Sequence, residues 1–476
     1  MEKQEQKHVV VLGAGFGGLT FCQHFNNPNV RVTLVDRTNH HLFQPLLYQV
    51  ATAGLSAPDI AQPIRAILSK HKNIIVLMDT VEGIDLAKRT VQLSKNSLTY
   101  DYLVIALGSG NTYFGHPEWE QFAPGLKTLE DAAHIRTQVL LAFERAENTN
   151  DVEERTRLMT MVVVGGGPTG VELAGAFAEL ARTVLRRDFR RIDPAQAHII
   201  LVEGSPYVLS NFPPDLAESA TRQLRHLGVQ VRTSMRVQDI RRGEVELNNG
   251  EVIRAENIFW TAGVAAVPIT KKLGVDVDKA GRIKVNPDLS LPGHPEVFAI
   301  GDLATVFKKN GSPVPGVSPA AMQMGRHAAR IIDDELKHGP AKTRPPFSYW
   351  DKGNMATIGR SKGIAQIGKL KLSGWPAWMA WLLVHLVFLV GFRNRLSVLI
   401  QWTYSYFTYK RGARIVARGM EEPPANPNLK AAAPRTDSEA LVCGSLPVQP
   451  VPGDVHPAPS PAVSVGRGLP HTIRSP

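Results

Sequence analysis

Residues 8–36 read HVVVLGAGFGGLTFCQHFNNPNVRVTLVD, and this stretch decides the fold. An apolar run, HVVVL, meets a turn built from Gly13, Gly15, Gly17 and Gly18, then a longer periodic segment, then a second apolar run that ends in Asp36. Short apolar runs bounded by turn residues predict strands, and the periodic segment between them predicts a helix. Glycines in such a turn let the backbone approach a pyrophosphate, and the helix N-terminus presents unpaired N–H groups and positive potential to it. Asp36 comes 23 residues after Gly13, where an acid at the end of the second strand can bind a ribose hydroxyl. A glycine turn alone is common. Strand, turn, helix, strand and acid in that order predict a dinucleotide site.

The plan recurs at 158–204 as LMTMVVVGGG, PTGVELAGAFAELARTVL and HIILVEG, with Gly165, Gly167 and Gly170 in the turn and Glu203 at the strand end. Here the acid follows Gly165 by 38 residues, where about 20 is usual. The excess predicts a longer first helix and an insertion over 181–197, which carries Arg182, Arg186, Arg187, Arg190 and Arg191. A solvated helix face or contact with anionic lipid are two readings of those arginines. An acid at this strand end repels a 2′-phosphate and so predicts NADH rather than NADPH, the alternative being a merely solvated acid.

Two such units predict an α/β chain with two Rossmann-like dinucleotide-binding domains. Short alternating strands are expected after each unit, at 90–94 and 101–107, then at 229–233 and 244–253, with Asn249 and Gly250 as a hairpin turn. Two sites in one chain suit a tightly held flavin and a diffusing nicotinamide cofactor. Gly301 and Asp302 follow the apolar run EVFAI. An Asp at such a turn can accept from a flavin ribityl hydroxyl, and a following helix N-terminus would favour phosphate. A helix is expected over roughly 318–337.

Composition bounds the rest. The 476 residues are 43% hydrophobic and 20% charged, an ordinary globular balance. Cys22 and Cys443 are the two cysteines, too few for a disulfide-stapled scaffold or a thiolate metal cluster. The N-terminus runs directly into the first strand with no secretory signal pattern, so a cytoplasmic side is expected. Formal net charge is +11, and residues 371–420 hold seven Lys or Arg and no Asp or Glu. Within that stretch 372–392 lacks any of the four charged residue types, and its core reads WPAWMAWLLVHLVFLVGF. Those 18 residues would reach about 27 Å as a helix, borderline against a bilayer core of about 30 Å. Pro376 and His385 weaken a spanning reading further. Residues 396–409 place Ser397, Gln401, Ser405 and Thr408 on one helical face and Leu399, Trp402, Tyr406 and Tyr409 on another. Aromatic and basic enrichment favours an interfacial anchor on an anionic membrane surface, through 372–418, over nucleic-acid binding or a buried core hairpin. Residues 421–476 carry 12 of the 34 prolines and predict a disordered tail.

Taken together, the chain resembles the type II NADH dehydrogenases, single-chain NADH:quinone oxidoreductases with FAD, and more broadly the flavoproteins with two dinucleotide-binding domains. The likeness runs over about 8–418 and rests on VVVLGAGFGGL, HHLFQPLLYQVATAGLS, DYLVIALGS, VVVGGGPTGVELAG, IFWTAGV, EVFAIGDLA, PAAMQMGRHAA and GFRNRLSVLIQWTYSYFTYKRGARIV. It implies a glutathione-reductase-like arrangement: FAD-binding residues 1–112 and 287–345, NADH-binding residues 113–286, a membrane anchor over 346–420 and a tail over 421–476. It also implies that the first loop and Asp36, with Gly108, Gly301 and Asp302, bind FAD, and that Gln44, Pro45 and Leu46 lie by the isoalloxazine. The second loop, Glu203 and the turn at Thr261 and Gly263 would hold NADH. Glu172 matches a carboxylate placed near the flavin in the family, its plainer reading being a first-turn acid that complements the helix dipole.

The quinone region departs from the common AQxAxQ pattern, since 318–323 reads SPAAMQ. Gln323 keeps the second glutamine, whereas Pro319 replaces the first. His385 falls where some members place a lysine, and an interfacial or packed histidine is its alternative. Hydride transfer from NADH to FAD and two electrons onward to a membrane quinone are then expected, with Glu172, Gln323 and His385 as candidate catalytic residues and no metal. With no further apolar stretch, proton pumping is not expected. The resemblance further implies a homodimer attached as a peripheral, monotopic protein on the cytoplasmic face of the inner membrane. Sulfide:quinone and disulfide reductases share the fold but need reactive cysteines, and a ferredoxin-type reductase leaves 372–418 unexplained. A flavin-dependent, NADH-binding redox sensor, or a reductase with a protein acceptor, is the competing reading.

Overall fold

The structure is a computed structural model that describes residues 6–408 and 412–416. HVVVL forms the strand His8–Leu12, whose five residues are all buried. It sits inside a parallel sheet in the order His294–Ala299, Tyr102–Ile105, His8–Leu12, Arg31–Asp36, Ile74–Met78, and Ser290–Leu291 adds an antiparallel edge. Burial on both faces explains an unbroken apolar run where a half-exposed strand would alternate. The helix after the glycine turn, Phe16–His24, packs on Ser318–His338. The crossing is close enough that a Cβ on Gly325 would lie 2.4 Å from the Gly17 carbonyl oxygen.

The second unit forms its own parallel sheet, in the order Val229–Arg232, His198–Val202, Thr160–Val164, Asn257–Trp260. The expected extra length before Glu203 is seen. Helix Pro168–Glu179 continues as one π-helical turn, Leu180–Val184, and the arginine-bearing segment then leads to a short turn at Pro194–Gln196. Glu244–Leu247 and Val252–Arg254 pair antiparallel across Gly250, whose φ of +84° suits the hairpin. The helix expected over roughly 318–337 is seen as Ser318–His338. Gly301 is followed by a short turn, Gly301–Leu303, and a two-residue strand, while the next α-helix begins at Ser318. Gly311, Pro313, Pro315 and Gly316 break the intervening chain.

A third sheet, Asn354–Gly359, Lys362–Ile367 and Leu370–Ser373, is antiparallel and packs on helix Pro168–Glu179. Gly175 permits this, because a Cβ there would lie 1.7 Å from the Ile358 carbonyl oxygen. Two helices follow, Trp375–Phe388 and Phe392–Thr408. The break between them, with Gly391 at a φ of +87°, divides the apolar stretch. Among the described residues no helix is long and apolar enough to cross a membrane.

The second of these helices is docked in an unusual sense. Its polar face points inward: Ser397 Oγ donates to Asp59 Oδ1 (2.8 Å), Gln401 to Ser397 Oγ (3.1 Å), and Asn394 is buried. Trp402 Nε1 donates to Gln49 Oε1 at 2.8 Å, and Gln49 donates in turn to the Tyr48 hydroxyl at 2.9 Å. Burial works against the Asp59 charge. The Ser56 hydroxyl and N–H, with Ser397 and Gln401, outweigh it and hold that carboxyl below its ordinary range. Ala377, Trp381 and Val398 are buried against the body, while many of the other apolar side chains face outward. Trp375, Met379, Leu383 and Val387, spaced four apart, are 40–65% exposed, and Phe392, Ile400 and Phe407 are 81%, 58% and 77% exposed. Tyr409, Lys410, Arg411, Arg418 and the tail with Cys443 lie outside the described residues.

Candidate functional site

Both glycine turns are shaped by the same two close approaches. At the first, Gly13 has a φ of +95°, and a Cβ there would lie 2.4 Å from the Ala106 carbonyl oxygen, while one on Gly18 would lie 1.9 Å from Gly13 O. At the second, Gly165 has a φ of +107°, and a Cβ on Gly170 would lie 1.9 Å from Gly165 O and 2.6 Å from Thr261 Oγ1. By contrast a Cβ on Gly15 or Gly167 would meet no protein atom within 4 Å, so these two glycines leave room for a ligand rather than for the chain. The strand-end acids serve the loops directly. Asp36 Oδ2 accepts from the Ala14 N–H at 2.6 Å and Oδ1 from the Thr38 N–H at 2.8 Å. Glu203 repeats the arrangement, accepting from the Gly166 and Ser205 N–H groups, each at 2.6 Å.

A cavity of about 1600 Å³ runs from the first loop toward the third sheet. Gly13, Gly15, Gly17, Asp36, Gln44, Pro45, Gly108, Gly263, Gly301 and Asp302 line it, as do Glu172 and His385. Gly18 and Leu46 are buried behind that wall. Gly165, Gly167, Gly170 and Glu203 are not on its lining, although Pro168, Thr169 and Thr261 beside them are. Sequence spacing gave no signal for Ser109 and Lys127, which share the Asp302 wall. Ser109 Oγ donates to Asp302 Oδ2 at 3.1 Å, and the Lys127 ammonium reaches Ser109 Oγ at 3.5 Å.

A second cavity of about 690 Å³ lies between the third sheet and the two C-terminal helices. Trp378, Met379, Leu386, Leu399 and Phe407 give it an apolar wall, and it shares Tyr48 and Glu172 with the larger cavity. Glu172 opens onto both and is otherwise enclosed by protein. Burial pushes its carboxyl up to about 8, against the opposing pull of the Thr357 N–H and the Trp381 indole N–H. His385 Nδ1 lies 2.7 Å from the Trp381 carbonyl oxygen, so that nitrogen carries the proton and Nε2 is left as an acceptor. Its ring stacks on Trp381 at 4.0 Å, and burial pulls it down to about 4, so it is neutral at physiological pH. Gln323 lines neither cavity. Its amide makes a two-point bond to the Trp350 backbone, at 3.0 and 2.9 Å, and so fixes the loop that forms one lip of the larger cavity. Cys22 is fully buried, its thiol pushed up to about 12, and it lines neither cavity, which leaves no described thiol chemistry at the site.

Two glycine loops on two parallel sheets, the first lining the large cavity and the second adjoining it through Pro168, Thr169 and Thr261, define a protein that binds two dinucleotides. A family model described as pyridine nucleotide-disulphide oxidoreductase matches residues 7–325. Two curated relatives narrow the class. The type II NADH:quinone oxidoreductase Ndh of Mycobacterium tuberculosis is 42% identical over 416 residues, 85% of this chain and 89% of that protein. NdhA of the same organism is 43% identical over 426 residues, 87% and 90% of the two chains. The chain belongs to the type II NADH:quinone oxidoreductases. Its fold is that of NDH2 from Plasmodium falciparum, solved in complex with NADH, with a TM-score of 0.80 at 20% identity over 86% of this chain and 100% of that one. The sulfide:quinone oxidoreductase of Aquifex aeolicus shares the fold more distantly, with a TM-score of 0.65 at 18% identity over 84% and 95% of the two chains.

Proposed function

We propose that this chain is a non-proton-pumping NADH:quinone oxidoreductase that uses FAD, on the strength of one observation above the others. Two cavities, one starting at a dinucleotide loop and one walled by outward-facing apolar helices, meet at Tyr48 and Glu172. A water-soluble donor and a lipid-soluble acceptor need such separate approaches to one redox centre.

The residues at the first loop fit FAD. The space at Gly15 is open, the helix Phe16–His24 begins beside it, and Asp302 lines the same cavity, where it would accept from a ribityl hydroxyl. When bound, FAD supplies a two-electron carrier between the hydride of NADH and the quinone. The chain supplies binding, orientation and protons. Residues 1–112 and 287–345 would hold FAD. Residues 113–286 would hold NADH, through the second loop and the turn at Thr261 and Gly263. Glu172 is neutral at pH 7 and can give its proton to a reduced quinone. His385, with its acceptor nitrogen free of the Trp381 carbonyl, serves to accept a hydrogen bond rather than to donate a proton. Gln323 is read as a positioning residue that holds the Trp350 loop.

Residues 346–420 would attach the protein to one leaflet. A helix with its polar side bonded to the protein and its apolar side outward is the reverse of a surface helix in water, which supports an interfacial lipid contact. Exposed Arg393 and Arg395 suit anionic headgroups. Replacing both Phe392 and Ile400 with Glu changes exposed positions that line neither cavity. The double variant is expected to bind anionic vesicles at least about tenfold more weakly in a flotation assay, with NADH-driven flavin bleaching unchanged. Retained flotation would refute the anchor. Attachment on the cytoplasmic face and homodimerisation complete this reading, and light scattering of the detergent-solubilised chain tests the second.

The whole assignment is tested by stopped-flow absorbance. NADH should bleach the flavin rapidly, and a short-chain quinone should restore it. Bleaching without recovery would move the acceptor to another molecule, and tight NADH binding without bleaching would return the redox-sensor reading.

A further inference from the structure

Lys127 plays no part in the assignments above, yet its placement is tightly specified. It precedes helix Leu129–Asn148, whose N-cap Thr128 and Asp131 form a capping box. Asp131 Oδ2 also accepts from the Lys127 N–H at 2.9 Å, so the backbone from which the side chain leaves is fixed on both sides. Gln44, another residue of the cavity wall, donates to the Lys127 carbonyl at 3.5 Å. The side chain itself lines the large cavity. Its ammonium makes one long contact, to Ser109 Oγ, and among the described residues no carboxylate comes within ion-pairing distance. An ammonium has three donors to satisfy, and a largely enclosed one with a single long hydrogen bond is short of partners. Burial pulls its pKa below the ordinary lysine value, and Asp302, one residue removed through Ser109, offsets part of that.

This balance says what the site awaits. Asp302 leaves the local charge near zero, a poor place for a permanent phosphate, and the pyrophosphate already has its own cradle at Gly15. A partner that is neutral at first and gains negative charge later fits better. Resting on the FAD reading above, we propose that Lys127 is a redox-tuning residue, its ammonium stabilising the negative charge that the flavin gains on reduction. A hydride carries two electrons and one proton, so a neutral acceptor becomes an anion as NADH becomes NAD⁺. The Lys127 proton stays on its nitrogen throughout. Charge placed beside a flavin ring is one of the ways a protein sets its electronics.

The test uses the full-length holoenzyme. The flavin midpoint potential and the affinity for oxidised FAD are measured in wild type and in Lys127→Met, Lys127→Gln and Lys127→Arg. The two neutral variants are expected to lose about tenfold more affinity for reduced than for oxidised flavin, which lowers a two-electron midpoint by about 30 mV. Lys127→Arg, which keeps the charge, is expected to restore most of it. Unchanged potentials in folded, flavin-loaded neutral variants overturn the proposal. Equal loss of affinity for both oxidation states also overturns it and makes Lys127 a phosphate anchor instead. A wild-type chain that takes up no flavin at all would remove the FAD reading itself, a failure that is distinct from the other two.

Discussion

Glu172→Gln is expected to cut quinone turnover roughly 100-fold or more, the usual scale for loss of a general acid, while NADH still bleaches the flavin at the wild-type rate. The expectation follows from position and charge together. Glu172 is the carboxyl that borders both cavities, and burial holds it protonated up to about pH 8. Glutamine keeps the shape and removes the proton. In wild type, turnover should fall as pH rises through about 8 and the carboxyl ionises, and that limb should vanish in the variant. Stability follows the same sign. The folded pKa of about 8 lies above the ordinary 4.5, so the folded state holds a proton that the unfolded chain has lost over that window. Wild-type stability therefore declines as pH rises from 4.5 toward 8. Glutamine does not titrate, so thermal melts should show the variant gaining on wild type as the buffer becomes alkaline. Full quinone turnover in Glu172→Gln would take the proton-donor role away from this residue.

Gly15→Ala is expected to give a folded protein that purifies without flavin. A Cβ at Gly15 meets nothing within 4 Å, so the loop should close as before. On the proposed reading the added methyl occupies only the space where the pyrophosphate would lie, and a steric cost of about 1.4 kcal/mol or more is at least tenfold in affinity. Gly18→Ala is the contrast. Its Cβ would lie 1.9 Å from Gly13 O, so it should disturb the loop and the sheet beneath it, and lower the melting temperature as well. Absorbance and circular dichroism on both variants separate the two kinds of glycine. Flavin retained in Gly15→Ala would show that the open space is not where the pyrophosphate lies.

Much of this was legible in the residues because the signals were local. A fully buried parallel strand needs a continuous apolar run, a close-approach turn needs glycine, and the two motifs carry both. The excess spacing before Glu203 correctly marked extra chain, seen as the π turn and the arginine segment. What escaped notice depends on distant segments meeting. Lys127, Ser109 and Asp302 come from three parts of the chain, and no spacing rule links them. By contrast, the helix expected over roughly 318–337 is found at Ser318–His338, its periodic pattern being as local a signal as the strands. Helical periodicity also separated the two faces of 396–409 without saying which faces the protein. The bond from Ser397 to Asp59 turns the polar face to the body, and Trp402, assigned by periodicity to the other face, bonds there too.

The paired acids have a consequence for how the nucleotides are met. Asp36 and Glu203 each clasp their own glycine loop through a backbone N–H. The loops are thus already in shape before a ligand arrives, and little ordering entropy remains to be lost on binding. A substitution at either acid then acts twice, once on the sugar it would face and once on the shape of the loop. If the second loop holds NADH, as proposed, relaxing selectivity toward a 2′-phosphate by changing Glu203 alone should weaken every nucleotide at that site. The latch and the selector are one side chain.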